Sequence, residues 1–227
     1  MASRSQAKQL KEKTSQALIE SALELCAEEG YASLSLRSVA RKAGIAPTSF
    51  YRHFREIDEM GVAMIQQAEA VLKDWLATAR KKMTLPLIKP TYGPEQILKS
   101  VEQLTRPFAE SFADCFSDNP RLIHLFFQEH TGCAEPLRTA VTDAADGLIR
   151  SLTEILKQPG KALPCGAETT ALMAETMITL VSRDLLESPF PPGAHSAEQA
   201  KNATKTTIRK LNLLFLGALM AERIQQG

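Results

Sequence analysis

Apolar residues recur at three- and four-residue spacing along almost the whole chain, and no stretch of useful length alternates with period two. A chain patterned this way buries its hydrophobic surface by packing helix on helix, so the expected fold class is all-α. Glycine and proline punctuate it into about nine segments. Lys8 to Glu29 reads as a first helix, with Leu10, Ala17, Leu18, Ala22 and Leu25 on one face and Gly30 as its stop. Ser35 is a candidate N-cap for a short second helix, Leu36 to Ala43, and Gly44 supplies the turn after it. Pro47 suits the first turn of a third helix that ends near Phe54, although Ala46 before it is a poor cap.

The fourth helix runs from about Asp58 to Lys82 on Met60, Met64, Val71, Trp75 and Ala79. Pro86, Pro90, Gly93 and Pro94 make Thr84 to Pro94 a loop. Ile97, Val101, Leu104, Phe108, Phe112 and Phe116 mark a fifth helix with Pro107 as a site for a kink. A sixth starts at Asn119-Pro120 and ends near Gln128. A seventh carries Leu137 to Ile155 and is broken by Pro159, Gly160 and Pro164. The last two, Glu168 to Leu186 and the run around Leu211 to Leu219, flank a loop from Ser188 to Ala200 and are apolar nearly all round. Such helices need burial on more than one face, and a second copy of the chain is the simplest provider. Met177, Val181, Leu211, Phe215 and Ala218 are the residues expected at that homodimer interface.

The formal net charge is only +1, from 27 Lys+Arg against 26 Asp+Glu, but it is unevenly spread. Residues 1–55 hold nine basic residues (Arg4, Lys8, Lys11, Lys13, Arg37, Arg41, Lys42, Arg52, Arg55) against five acidic ones, which leaves the remainder at about −3. Between Glu29 and Glu56 there is no carboxylate at all. A short basic helical pair is the electrostatic footprint of a polyanion partner. Three short helices with a Gly-centred turn before the third make a helix-turn-helix, so the expected partner is a double-stranded DNA operator. The expected division is a DNA-binding domain over residues 1–56 and a larger domain over 57–227.

Other chemistry finds no motif. Cys26, Cys115, Cys133 and Cys165 are far apart and form no Cys-x-x-Cys pair. His124, His130 and His195 lack metal-ligand spacing, and Gly-x-Ser-x-Gly, P-loop and Gly-x-Gly-x-x-Gly sequences are missing. No enzyme, cofactor or metal site is expected. The polar N-terminus lacks a signal-peptide core and no apolar run approaches the roughly 18 residues of a membrane span, so a cytoplasmic chain with no membrane partner is expected.

The stretch from Gly30 to Phe54, with Leu36, Arg37, Val39, Ala40, Gly44, Ile45, Phe50, Tyr51, His53 and Phe54, resembles the DNA-binding domain of the TetR family of bacterial repressors. Ala46, where the family often has a capping Ser, and Pro47 depart from its pattern. The resemblance implies helices one to three on DNA, helix four as connector, helices five to seven around a ligand cavity, and a four-helix dimer interface from the last two. It also implies roles. Arg37, Thr48, Ser49 and Arg52 are candidates for base or near-base contacts; Tyr51, His53 and Ser35 for phosphates; Phe50 and Phe54 for packing on helix one.

A narrower similarity, carried by SLRSVARKAGIAPTSFYRHFREIDEMG with Asn119-Pro120, Leu125, Glu129 and Gly132, is to the FabR/DesT group that controls unsaturated fatty acid synthesis. It implies an acyl thioester effector, acyl-CoA or acyl carrier protein, some acyl chains strengthening DNA binding and others weakening it. Met64, Trp75, Leu104, Phe108, Phe112, Phe126, Phe127, Met173 and Met177 are the candidate pocket walls. The same residues at helical spacing equally build a plain core, and Arg106, Arg121, Arg138 and Arg183 could serve a carrier headgroup or ordinary salt bridges. Two other readings stay open: a TetR-type regulator of a different hydrophobic effector, and an acyl-binding carrier or enzyme whose basic N-terminus recruits an acidic carrier protein.

Overall fold

The computed structural model describes residues 2–86, 88–89, 91–128, 135–157, 165–186 and 197–225. Glu129, His130, Gly132, Cys133, Pro159, Gly160, Pro164 and His195, which bear on the sequence patterns above, lie outside the described residues. Among the described residues the chain is all helical. Its elements are α1 (Ala2–Glu29), a 3-10 turn (Tyr31–Ser33), α2 (Leu36–Lys42), α3 (Pro47–Phe50), α4 (Ile57–Lys82), α5 (Pro94–Asp118), α6 (Pro120–Gln128), α7 (Glu135–Leu156), α8 (Ala167–Leu186) and α9 (Ala197–Gln225). They group into two compact units, Met1–Glu69 with Pro120–Ala144, and Ala70–Asn119 with Ala145–Gly227. Both α4 and α7 run from one unit into the other.

In the first unit α1 packs on α2 and on α6. The helix is longer than its pattern suggests, starting at Ala2 instead of Lys8, and its apolar face is rotated from the expected one. Leu18, Ala22 and Leu25 are buried, whereas Leu10 is 67% exposed and Ala17 is exposed. Arg121 of α6 lies 3.4 Å from Glu24, and Lys42 of α2 lies 3.3 Å from Glu24 and 3.0 Å from Glu28, so α1 holds both neighbours through one acidic edge. Tyr31 is buried against the start of α4, its hydroxyl 3.4 Å from Ile57 O and from Asp58 Oδ1. Gly61 makes this approach feasible, since a Cβ there would lie 2.2 Å from the Tyr31 hydroxyl.

In the second unit α5 makes its most extensive helix–helix contact with α9, and α9 also packs on α8. α5 runs uninterrupted through Pro107. The missing N–H at Pro107 would orphan the Gln103 carbonyl one turn back; the Thr84 N–H takes its place at 3.1 Å. Polar contacts also cross the helices. Thr105 Oγ1 donates to Asn212 Oδ1 at 2.6 Å in the buried α5–α9 seam, and Asp184 of α8 accepts from Thr207 and pairs with Lys210, both on α9. Trp75 packs edge-on to Phe112 at a 4.8 Å centroid separation and donates its indole N–H to Ser111 Oγ at 3.1 Å. α9 begins at Ala197, so the end of the expected 188–200 loop is helical.

Candidate nucleic-acid interface

The turn that presents the basic helices is built from local hydrogen bonds. Ser35 Oγ accepts from Ser38 N at 3.1 Å, and Ser38 Oγ accepts from Ser35 N at 3.1 Å, a reciprocal capping box that starts α2 without a glutamate. At the other end Ile45 N donates to Ala40 O at 3.0 Å and Gly44 N to Arg41 O at 3.2 Å. This 6→1 and 5→2 pair is the Schellman arrangement, and it needs the left-handed backbone that Gly44 adopts at φ 69°. α3 then starts on Pro47 with no side-chain cap from Ala46.

The third helix is shorter than expected. It ends at Phe50, and residues 51–53 form a turn in which Arg52 N donates to Ser49 O at 3.2 Å and His53 N to Phe50 O at 2.8 Å. Three-residue bonds tighten the chain there, while Phe50 and Phe54 are buried with ring centroids 5.8 Å apart and fix the segment from inside. Tyr51 and Arg52 between them point out, with His53 half-buried. Tyr51 is 63% exposed, and Arg37, Thr48 and Arg52 are exposed, with Ser49 half-buried. Ser35 is exposed, but its hydroxyl is already engaged in capping α2.

Charge pairing separates the cations into two kinds. Lys42 is spent internally, its pKa raised first by the hydrogen bond to Glu28. Arg37, Arg41, Arg52 and Arg55 are exposed and, among the described residues, none has a carboxylate within salt-bridge distance. His53 is half-buried, and its Nδ1 is buried with no hydrogen-bond partner among the described residues. Burial, then the charges of Lys11 and Arg52, lower its pKa below the ordinary 6.5. The charge of Lys11, in α1, thus acts on His53, an influence that the motif reading missed because the two are far apart in sequence. Four exposed, uncompensated guanidinia and an exposed phenol, carried on α2 and on the segment that follows α3, suit phosphate oxygens and guanine edges.

The remaining expected site residues are interior. Met64 and Phe126 are buried in the first unit, with Phe127 half-buried beside Phe126. Trp75, Leu104, Phe108, Phe112, Met173 and Met177 are buried in the second. Met177, Val181, Leu211 and Phe215 lie in the core of a single chain, so they have no surface to give a partner; of the five interface candidates Ala218 is half-buried. Among the described residues, the large apolar side chains that α8 and α9 expose are Leu172 (60%), Leu213 (70%) and Met220 (40%). Periodicity identified helices rich in apolar residues and could not say which side faced inward.

Arg106 is flanked by Glu102 and Glu110 one turn away on α5, and Arg121 by Glu24, so both are surface ion pairs. Burial, with Asp118 adding to it, pushes the Cys115 thiol up to about 11, which leaves it unreactive as a nucleophile at neutral pH. Among the described residues no group of three or more His, Cys, Asp or Glu could hold a metal ion, and no helix is long and apolar enough to cross a membrane.

Residues 18–64 match the family model described as bacterial regulatory proteins, tetR family, which spans the end of α1 through the first turns of α4. Solved structures share the fold over most of the chain at low identity. A transcriptional regulator (TerR/AcrR family) from Aquifex aeolicus VF5 is 14% identical with a TM-score of 0.64, covering 88% of this chain and 99% of that one. A putative TetR-family transcriptional regulator from Syntrophomonas wolfei is 14% identical with a TM-score of 0.63, covering 90% and 96%. The transcriptional regulator FadR from Bacillus subtilis, in complex with stearoyl-CoA, is 13% identical with a TM-score of 0.61, covering 86% and 96%. Residues 18–64 thus carry the sequence of the tetR-family DNA-binding segment, and the helices after it follow the fold of these solved regulators.

Proposed function

We propose that this chain is a cytoplasmic homodimeric repressor that binds a palindromic operator and answers to a hydrophobic acyl thioester. The DNA part is carried by one observation, that Arg37, Arg41, Arg52 and Arg55 are exposed and internally uncompensated, as Tyr51 is exposed. Arg37, Arg52, Thr48 and Ser49 read or approach base edges, while Tyr51 and His53 hold phosphates and set the register. Two copies place their reading turns in successive major grooves, roughly 34–36 Å apart. Leu213, Gly217 and Met220, spaced by four and three on α9, form the apolar stripe that the second copy covers.

The effector reading is supported by the aromatic cluster of Trp75, Phe108 and Phe112, and by FadR from Bacillus subtilis, which shares the fold and holds stearoyl-CoA. The narrower likeness to regulators of unsaturated fatty acid synthesis points the same way. An acyl chain lodged in the second unit alters DNA affinity only through its differential affinity for two states of α4, the helix both units share.

A duplex selected by the protein from a random-sequence pool supplies the test. Binding should be salt-dependent and lost on the scrambled duplex, and the protein should sediment as a dimer. Trp75 is the chain's single tryptophan, so its emission should respond to stearoyl-CoA, and native mass spectrometry of protein from cells should retain an acyl species. Equal affinity for scrambled duplex removes the operator reading. A flat titration and a bare mass remove the acyl thioester.

A further inference from the structure

We infer that the exposed Lys81, Lys82 and Lys99, where α4 stops and α5 starts, receive the phosphates of a coenzyme-A-type headgroup whose acyl chain lodges beside Trp75. The inference rests on the acyl thioester reading above and adds to it a separate headgroup site, on residues that the motif reading passed over.

The charge pattern carries the first step. Between Asp74 and Glu95 the chain has no carboxylate, yet it holds Arg80, Lys81, Lys82 and Lys89. Lys81, Lys82 and Lys99 are exposed and, among the described residues, none of the three is in an ion pair. Glu95 and Glu102 each lie within about a turn of Lys99 and still leave it unpaired, Glu102 being drawn to Arg106 instead. Arg106 and Arg121, the other cations weighed for a headgroup, are held by carboxylates of their own. The α4 dipole accounts for Lys81 and Lys82 in its last turn, but Lys99 lies toward the positive end of α5, where a cation gains nothing from the helix.

The packing brings these charges to one place. Thr84 N donates to Gln103 O at 3.1 Å, so the chain just after Lys82 lies against α5 one turn from Lys99. Earlier on α4 Trp75 donates to Ser111, later on α5, so the two helices run antiparallel and the lysines gather at one end of the pair. Lys82 follows Trp75 on the same face of α4 by two turns, about 10 Å. Along that face Leu72, Trp75 and Ala79 are buried and Lys82 is exposed, so the charges stand where the apolar interior around Trp75, Phe108 and Phe112 gives way to water. An apolar tail with a polyanionic head matches that succession. Lysine, a compact charge on a flexible stem, suits phosphate oxygens. Three lysines fit the phosphates of a nucleotide, whereas an acidic protein needs a surface of about 20–30 residues.

The test compares stearoyl-CoA with the stearoyl thioester of N-acetylcysteamine, which keeps the acyl chain and the thioester and lacks every phosphate. Binding to the full-length protein is read by Trp75 emission and by calorimetry. The wild type should bind stearoyl-CoA more tightly, and that preference should fade as KCl rises. K81Q/K82Q/K99Q should weaken stearoyl-CoA by roughly tenfold, about twofold for each exposed charge contact. The N-acetylcysteamine thioester should bind this variant as it binds the wild type, so the preference is abolished. K81R/K82R/K99R should keep it.

If the wild type binds both thioesters alike, or the glutamine variant keeps the preference, the headgroup site is refuted and the acyl thioester reading survives. If the wild type binds neither, both fall. An equal loss for both ligands in the glutamine variant would assign the effect to a disturbed interior and overturn the site. A glutamine variant that keeps stearoyl-CoA but loses stearoyl-acyl carrier protein would give the lysines to a protein partner, and the nucleotide headgroup is then overturned.

Discussion

Gly61 has no side chain because Tyr31 occupies the space, and the pair ties the turn after α1 to the first turns of α4. A Cβ at this position would lie 2.2 Å from the Tyr31 hydroxyl and 2.9 Å from Cζ, both on a buried ring with little room to retreat. G61A should therefore destabilise the protein by about 1–3 kcal/mol in urea titration, the usual cost of overpacking. Y31F should relieve part of that destabilisation when combined with it, and equal, additive effects would show that the ring does not feel the new methyl. His53 makes a second prediction. Its pKa is lowered, so the folded state favours the neutral imidazole, and the stability this contributes is present above about 6.5 and lost as pH falls through the folded value. In an NMR titration K11Q should raise the His53 pKa, since it removes one of the charges that depress it. An unchanged value would separate Lys11 from this surface.

Secondary structure was legible where a residue's own chemistry sets it. Ser35 announced the start of α2, Gly44 its end, and Pro47 the start of α3; the structure gives each that place. S35A should cost about 0.5–2 kcal/mol, because the Ser38 N–H loses the hydroxyl that accepts from it; unchanged stability would mean water replaces that acceptor at this exposed cap. The end of α3 was not legible. Nothing in Tyr51-Arg52-His53 breaks a helix, and it is the burial of Phe50 and Phe54, three-dimensional facts, that accompanies the tightened turn. Pro107 is similar: the sequence marks a defect, and only the fold supplies the Thr84 N–H that mends it. Trp75 also needs a partner that sequence could not name. S111A leaves its indole N–H unsatisfied and should destabilise by about 1–3 kcal/mol, with Trp75 emission altered in the folded state. A thermal midpoint like that of the wild type would show that the bond contributes nothing.

For the whole molecule, the charge asymmetry between residues 1–55 and the rest told more than the near-zero total, because a binding surface is local and a net charge is not. The helix-turn-helix could be read from sequence since its parts are close together along the chain and each has its own signal. The interior of the larger part could not. Its helices are apolar on several faces, and which face turns inward depends on neighbours far along the chain. Met177, Val181, Leu211 and Phe215 were accordingly expected at a surface and are core, while Leu213 and Met220 carry the outward stripe.

The central claim, that uncompensated arginines on the reading turn bind duplex DNA, is tested most directly by fluorescence anisotropy of wild type and R52A on the selected and scrambled duplexes over a salt series. The account predicts that log Kobs falls linearly with log[salt], that the scrambled duplex binds more weakly, and that R52A loses about 1–3 kcal/mol on the selected duplex. Affinity that ignores salt, or an R52A protein that binds the selected duplex as tightly as wild type, would contradict it.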